Sequence, residues 1–137
     1  MLSRFLKPLT EPAYAALRIV AGLMFSVHGM QKIFGVLTDN QPPVGSQLWI
    51  GGVIELVAGL LIAFGLFTVW AAFLASGQMA VAYLQFHWKF AFTAEFFPVV
   101  NRGELALLYA FVFLYVACQG AGLASIDRAR SSGEMRS

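Results

Sequence analysis

Four stretches of this 137-residue chain are apolar over the ~17–25 residues that a helix needs to cross a hydrocarbon core of about 30 Å. Lipid offers no partner to a backbone N–H or C=O, so such stretches can cross it only as helices whose hydrogen bonds close within the segment. Apolar windows place the spans at 13–34, 48–66, 69–87 and 103–120. The fold class that follows is all-α, an integral membrane four-helix bundle covering 13–122. Residues 1–12 read as an interfacial segment held by Arg4 and Lys7, and 123–137 as a polar cytoplasmic tail, disordered at its end. The first run is longer than the ~7–15 residues of a signal-peptide core and lacks a small-residue cleavage site, so it reads as a retained helix.

Composition supports lipid as the solvent. Hydrophobic residues make up 59% of the chain and charged residues 12%, with mean hydropathy +0.73, against roughly a quarter charged in soluble domains. Net charge is +2, and three of the nine basic residues fall in the last ten positions, too local for a nucleic-acid footprint. Cys118 is the single cysteine, which excludes an internal disulfide, a C-x-x-C couple and a cysteine-rich metal site.

The connections read differently from one another. "GVLTDNQPPVGSQ" is a loop because Asp39-Asn40 and Pro42-Pro43 favour turns, whereas "GLFT" joins spans two and three as a tight antiparallel hairpin with Gly65 as helix stop. "WKFAFTAEFFPVVNRG" mixes five aromatic rings with Lys89, Glu95, Asn101 and Arg102, the composition of a headgroup belt or of a substrate loop. Four spans put both termini on one side with Arg4, Lys7, Arg128, Arg130 and Arg136. Lys32, Lys89 and Arg102 lie opposite, so the positive-inside rule predicts cytoplasmic termini.

A charge at the bilayer centre costs about 2.5–3.5 kcal/mol on insertion scales, so Arg18, His28, Glu55 and Gln78 need partners or water. At 100° per residue Arg18, Gly22, Phe25, Gly29 and Lys32 share one stripe, with His28 on its flank. Gly51, Gly52, Glu55 and Gly59 cluster on the second span, a small-residue pattern that permits close helix approach. Ala72, Ser76 and Ala80 suggest another seam, Gln78, Ala82 and Gln85 a separate stripe, and Glu104, Phe111, Tyr115 and Cys118 a line along the fourth span. By helical rise Glu55 lies within a few Å of the midplane and His28 about 7 Å toward the outer face, where His87, Asn101, Arg102 and Glu104 also fall. The expectation is a bundle interior in which Glu55 and Glu104 neutralise the cations, with Arg18 reaching toward Glu55 or snorkelling to the inner boundary.

Arg18, His28, Lys32, Glu55, Gln78, His87, Asn101, Arg102 and Glu104 are therefore the candidate lining of a polar pocket, with Glu55, His28 and Glu104 as candidate proton-handling groups. A haem held by His28 and His87 is disfavoured because the two differ in depth by about 6 Å. No Glu-x-x-His motif supports a di-metal site, and no metal is implied. Hydrolase elbows, Walker loops and dinucleotide turns are absent from the sequence. What remains suits a small amphipathic ligand with carbonyl or hydroxyl ends, such as a quinone, or a proton relay.

Three stretches, "RIVAGLMFSVHGMQKIFG", "ELVAGLLIAFGLFTVWAA" and "FPVVNRGELALLYAFVFLYVACQGAGLASID", resemble in order and spacing the pattern of the DoxX family of small four-span membrane proteins. The resemblance runs from about Arg18 to Asp127, and Arg18, His28, Lys32, Glu55, Asn101 and Glu104 match recurring family positions. It implies a bundle of four membrane helices in a prokaryotic inner membrane and a link to membrane redox systems. Relatives include subunits associated with quinol oxidase and thiosulfate:quinone oxidoreductase activity. The leading expectation is a membrane subunit of, or accessory to, a quinone-linked oxidoreductase complex. The alternatives are a small-solute or proton transport element and a structural membrane adaptor. The partners expected are the lipid bilayer, a redox protein and a second copy of this chain, with nucleic acid excluded. A soluble-side component and a dithiol, which such enzymes use, are not found in this chain.

Overall fold

Three of the four long apolar helices end at a glycine, Gly35, Gly65 or Gly120, and the other ends at Lys89 in the left-handed conformation. The computed structural model describes residues 2–134, and every regular element among them is helical. A short helix α1 (Leu2–Leu6) passes through a 3-10 turn at Pro8 into α2 (Thr10–Phe34). Gly35, at φ 67°, stops α2 in the left-handed conformation that favours glycine. Helix α3 (Gln47–Phe64) starts on Ser46, whose hydroxyl accepts from the Trp49 N–H at 3.2 Å, and stops at Gly65. Helix α4 (Thr68–Ala82) widens into a π-helical turn, Tyr83–Trp88. A single helical turn α5 (Pro98–Asn101) precedes α6 (Glu104–Gln119), and α7 (Ile126–Glu134) closes the described chain.

Leu2–Phe34, Gln47–Phe64 and Thr68–Trp88 are long and apolar enough to cross a membrane, and Glu104–Gln119 is a shorter apolar helix. At about 1.5 Å per residue, α6 spans roughly 24 Å. Residues 2–9 bury no side chain.

Helices α2 and α3 run antiparallel along reciprocal glycines. A Cβ on Gly22 would lie 2.7 Å from the Gly59 carbonyl oxygen, and one on Gly59 2.7 Å from the Gly22 carbonyl oxygen. Seven residues further along α2, a Cβ on Gly29 would lie 2.7 Å from the Gly52 oxygen. This close seam is the small-residue packing used where lipid supplies no hydrophobic drive between helices. Helix α4 packs on α6 through Ala71, Ala72, Ala75, Ala106 and Ala110, all buried, and Ser76 Oγ donates to the Ala110 carbonyl at 2.7 Å. The two pairs meet at Phe25, whose ring lies 4.8 Å from Phe113 and 5.5 Å from Tyr109.

This arrangement sets the start of α2, the α3–α4 turn and the end of α6 at one end of the bundle. The α2–α3 loop, the π turn and α5 lie at the other. Three features differ from the sequence reading. The line Glu104, Phe111, Tyr115, Cys118 is the exposed side of α6, because in a uniformly apolar helix hydrophobicity does not separate lipid from interior. The tail is helical over Ile126–Glu134, while Arg136 and the tail's last residues, where disorder is expected, lie outside the described residues. Arg18 does not reach Glu55 and turns instead to carbonyls at the α3–α4 turn end.

Candidate functional site

The glycine seam is what brings a lysine onto a carboxylate inside the bundle. With no side chain on Gly52, the Lys32 stem lies directly against α3, and its Nζ sits 2.5 Å from Glu55 Oε1. Glu55 is 2% exposed and Lys32 31%, so the acid is buried while the ammonium keeps a route to the α2–α3 loop end of the bundle. Gln78 Nε2, from α4, donates to the same Oε1 at 3.1 Å and to the Gly51 carbonyl at 3.0 Å. One carboxylate oxygen thus collects a lysine and an amide.

The other half of the cluster is unsatisfied. Glu55 Oε2, Gln78 Oε1 and the Tyr109 hydroxyl are buried without a hydrogen-bond partner. Each such group costs about 1–3 kcal/mol when left unpaired, so three around one carboxylate call for an explanation. Two cavities meet there. The first, about 240 Å³, lies between α2, α3, α4 and α6 and is lined by His28, Lys32, Glu55, His87, Arg102 and Tyr109 among apolar walls. The second, about 290 Å³, lies between α3 and α4 and carries Lys32, Glu55 and Gln78. Lys32, Leu48, Glu55, Ala82 and Phe86 border both.

Both histidines are half-buried. His87 Nδ1 lies 3.2 Å from the Asn101 carbonyl; a carbonyl only accepts, so Nδ1 carries the proton and a neutral ring keeps Nε2 as an acceptor. His28 Nδ1 is 3.3 Å from Gln31 Oε1, and its ring stands edge-on to Tyr109 at 6.4 Å. The π turn that carries His87 is a geometry found often at functional sites. Together these groups set hydrogen-bond donors and acceptors around the cavity from Glu55 toward the α2–α3 loop end of the bundle.

Three sequence-selected residues stand apart. Arg18 is fully buried and donates to four carbonyls: Ile62 at 2.5 Å, Ala63 at 2.8 Å, Leu123 at 3.1 Å and Ala124 at 2.8 Å. Those oxygens are the C-terminal end of α3 and the loop after α6, where the helix dipole is negative, so the guanidinium is held by carbonyls and not by a bonded carboxylate. Asn101 ties its loop, donating to the Glu95 carbonyl at 2.8 Å and accepting from the Gly103 N–H at 2.8 Å. Glu104 is exposed at the start of α6, so it does not share with Glu55 the neutralisation of the interior cations.

Tyr109 is the site residue that sequence reading missed. Its signal is the neighbouring small residues, since Ala106, Tyr109, Ala110 and Phe113 form the buried face of α6, turned toward α2 and α4. Among the described residues no group of three or more His, Cys, Asp or Glu side chains is placed to hold a metal ion.

The wider groove at the opposite end of the bundle, about 850 Å³, is bordered by Ile19, Leu23, Phe64, Ile126 and Ala129, with Arg130 at its rim. It contains none of the clustered polar groups.

Comparison with known proteins agrees with this architecture. Residues 13–88 match the DoxX family. A protein of Haemophilus influenzae described as uncharacterized is 44% identical over 117 residues, covering 82% of this chain and 87% of the relative. No solved structure matches. A match over more than half the chain, joined to a bundle of apolar membrane helices, places this protein in the DoxX family as a multi-pass membrane protein.

Proposed function

We propose that this chain is a membrane subunit of, or accessory to, a quinone-linked oxidoreductase complex, and that the Glu55 cavity receives the quinone head group. The observation that carries this reading is the set of buried, unpartnered oxygens of Glu55, Gln78 and Tyr109 at the junction of two cavities. A ring with two opposed oxygens complements them: a quinone carbonyl accepts from the Tyr109 hydroxyl, and a quinol hydroxyl donates to Glu55 or Gln78. Reduction of a quinone takes two electrons and two protons. The electrons come from a partner redox protein, since this chain has one cysteine and no dithiol. Glu55, with Lys32 beside it and His28 and His87 toward the outer end, is the route for protons.

In this reading the protein sits in a prokaryotic inner membrane with both termini cytoplasmic, so the cavity end faces the opposite side. A transport role needs access from both faces. The interior between the cavity and the other end is filled by Phe25, Ile62, Ala72, Ala75 and Phe113, which favours a one-sided site. An adaptor in which Lys32 and Glu55 only tie α2 to α3 leaves the unpartnered oxygens without a role.

The test is mass spectrometry of an organic extract of protein purified in mild detergent, wild type beside Glu55→Gln. Stoichiometric quinone in the wild type, lost in a variant that remains folded, is expected. Only bulk lipid in both would overturn the quinone reading.

A further inference from the structure

We infer that ligand reaches Glu55 sideways from the lipid, through a window between α3 and α4 whose threshold is Gly77. The two helices are joined below by the tight Gly65–Phe67 turn, and above by a hydrogen bond from Gln47 Nε2 to Gln85 Oε1 at 2.6 Å. Between these ties the helices are held apart by a cavity of about 290 Å³ with Glu55 in its wall. Its rim is lipid-facing and apolar: Ile50, Leu74 and Val81 are all exposed.

Two glycines keep the window clear. A Cβ on Gly77 would meet no atom within 4 Å, and one on Gly51 would meet only Gln78 Nε2, at 3.1 Å. Elsewhere on α3, Gly52 and Gly59 are required because a neighbouring helix presses on them; Gly77 has no such neighbour, and its empty volume is the opening itself. Behind it stand the buried, unpartnered Glu55 Oε2 and Gln78 Oε1. A hydrophobic ligand dissolved in the bilayer would meet, in order, an apolar rim, a gap and a polar terminus.

The inference rests on the Glu55 cavity being a ligand site, but its readout does not require a quinone. Dicyclohexylcarbodiimide partitions into lipid and adds across the O–H of a protonated carboxyl. The proton goes to one nitrogen, the carboxyl oxygen bonds the central carbon, and acyl migration leaves a stable N-acylurea, so the protein gains the mass of one reagent. The wild type, Gly77→Ala, Gly77→Leu and Gly77→Trp would be treated in phosphatidylcholine vesicles, and Glu55 modification followed by peptide mass spectrometry.

Wild type and Gly77→Ala should label at similar rates and the two large variants at least about tenfold more slowly, with thermal midpoints near wild type because the site is open. Leu74→Trp, on the exposed rim, gives a second block should either Gly77 variant lose its fold. A water-soluble carbodiimide should label Glu55 far more slowly than the lipid-soluble one. Unchanged labelling in folded Gly77→Trp and Leu74→Trp, equal labelling by the water-soluble reagent, or an unlabelled wild type would each overturn the window. Labelling through the window by a protein that carries no quinone would leave it standing and remove the quinone reading alone.

Discussion

The two ends of the bundle each take ionised groups out of water, and they do so in opposite ways. At the α3–α4 turn, Arg18 spreads its charge over four carbonyl oxygens, Tyr14 donates to the Gly120 carbonyl at 2.5 Å, and Asp127 caps the start of α4. The Arg18 Nε is its one unpartnered buried nitrogen. At the other end Lys32 and Glu55 pair, and three oxygens remain unpaired beside open volume. A charge whose partners are backbone is part of how the chain folds. A charge with vacant hydrogen-bonding capacity at a cavity wall is available to something else.

The strongest way to break this comparison is at the closed end. Arg18→Met leaves helix-end carbonyls buried without donors and releases the loop that follows α6, and its cost should resemble that of orphaning one side of a buried ion pair, about 3–5 kcal/mol. Arg18→Lys should rescue little, because one ammonium cannot span carbonyls on two separate segments. Thermal unfolding in detergent, with proteolysis of the 120–134 segment as a local probe, would show both effects; a Lys variant as stable as wild type would contradict the clamp. Next in size is the seam that joins the ends. Gly29→Ala drives a Cβ into the α3 backbone and should cost about 1–3 kcal/mol. Gly77→Ala should cost much less, since no atom lies within reach, and similar losses at both positions would show that the seam is not close-packed.

Much of this was legible before the fold was known, for reasons that lie in lipid as a solvent. Backbone satisfaction forces apolar runs to be helices, so the α2–α3 loop and the α3–α4 hairpin follow from Pro42-Pro43 and Gly65. Lys32 and Glu55 were both visible because each shares a stripe with glycines, and the glycines are what bring the stripes together. Of the two reaches open to Arg18, toward Glu55 or to the boundary at its own end, the structure takes the second, and its partners there are carbonyls, which every residue has and no sequence displays. Tyr109 was missed because hydrophobicity is nearly uniform around α6, and only Ala106 and Ala110 mark its inner face. Asp127 looked like part of a solvated tail, and only the turn between α3 and α4 gives it donors.

Asp127 supplies a smaller effect at the closed end, and one with a sign. Burial pushes its carboxyl up, but the backbone and hydroxyl of Thr68 and the Phe67 N–H, bonded to it at 2.8–3.0 Å with Arg130 nearby, outweigh this and hold it below the usual value of 3.8. A depressed folded-state pKa means that the contribution is present above the unfolded value and lost as pH falls through the folded one. Stability should therefore be flat above about pH 5 and decline below about pH 4. Asp127→Ala should cost about 1 kcal/mol, the size of a lost helix cap, and remove that part of the acid decline. A full decline in the variant would assign it to other carboxylates.

Among the charged residues, the smallest stability change is expected where the charge is most conspicuous. Glu55→Gln removes a buried carboxylate, which usually strands its partner at a cost of several kcal/mol. Here the partner is Lys32, 31% exposed on a long stem, and an ammonium that can reach the boundary regains its hydration. The variant also removes the buried charge whose second oxygen has no donor, and a glutamine oxygen still accepts from Gln78. These terms oppose, so the thermal midpoint should correspond to a loss of less than about 1 kcal/mol, well below Arg18→Met. Unfolding of the two variants side by side in one detergent decides the matter. A Glu55→Gln loss as large as that of Arg18→Met would make both ends structural ties and leave the cavity without its functional acid; a small loss together with an empty cavity would separate the end that holds the fold from the end that uses it.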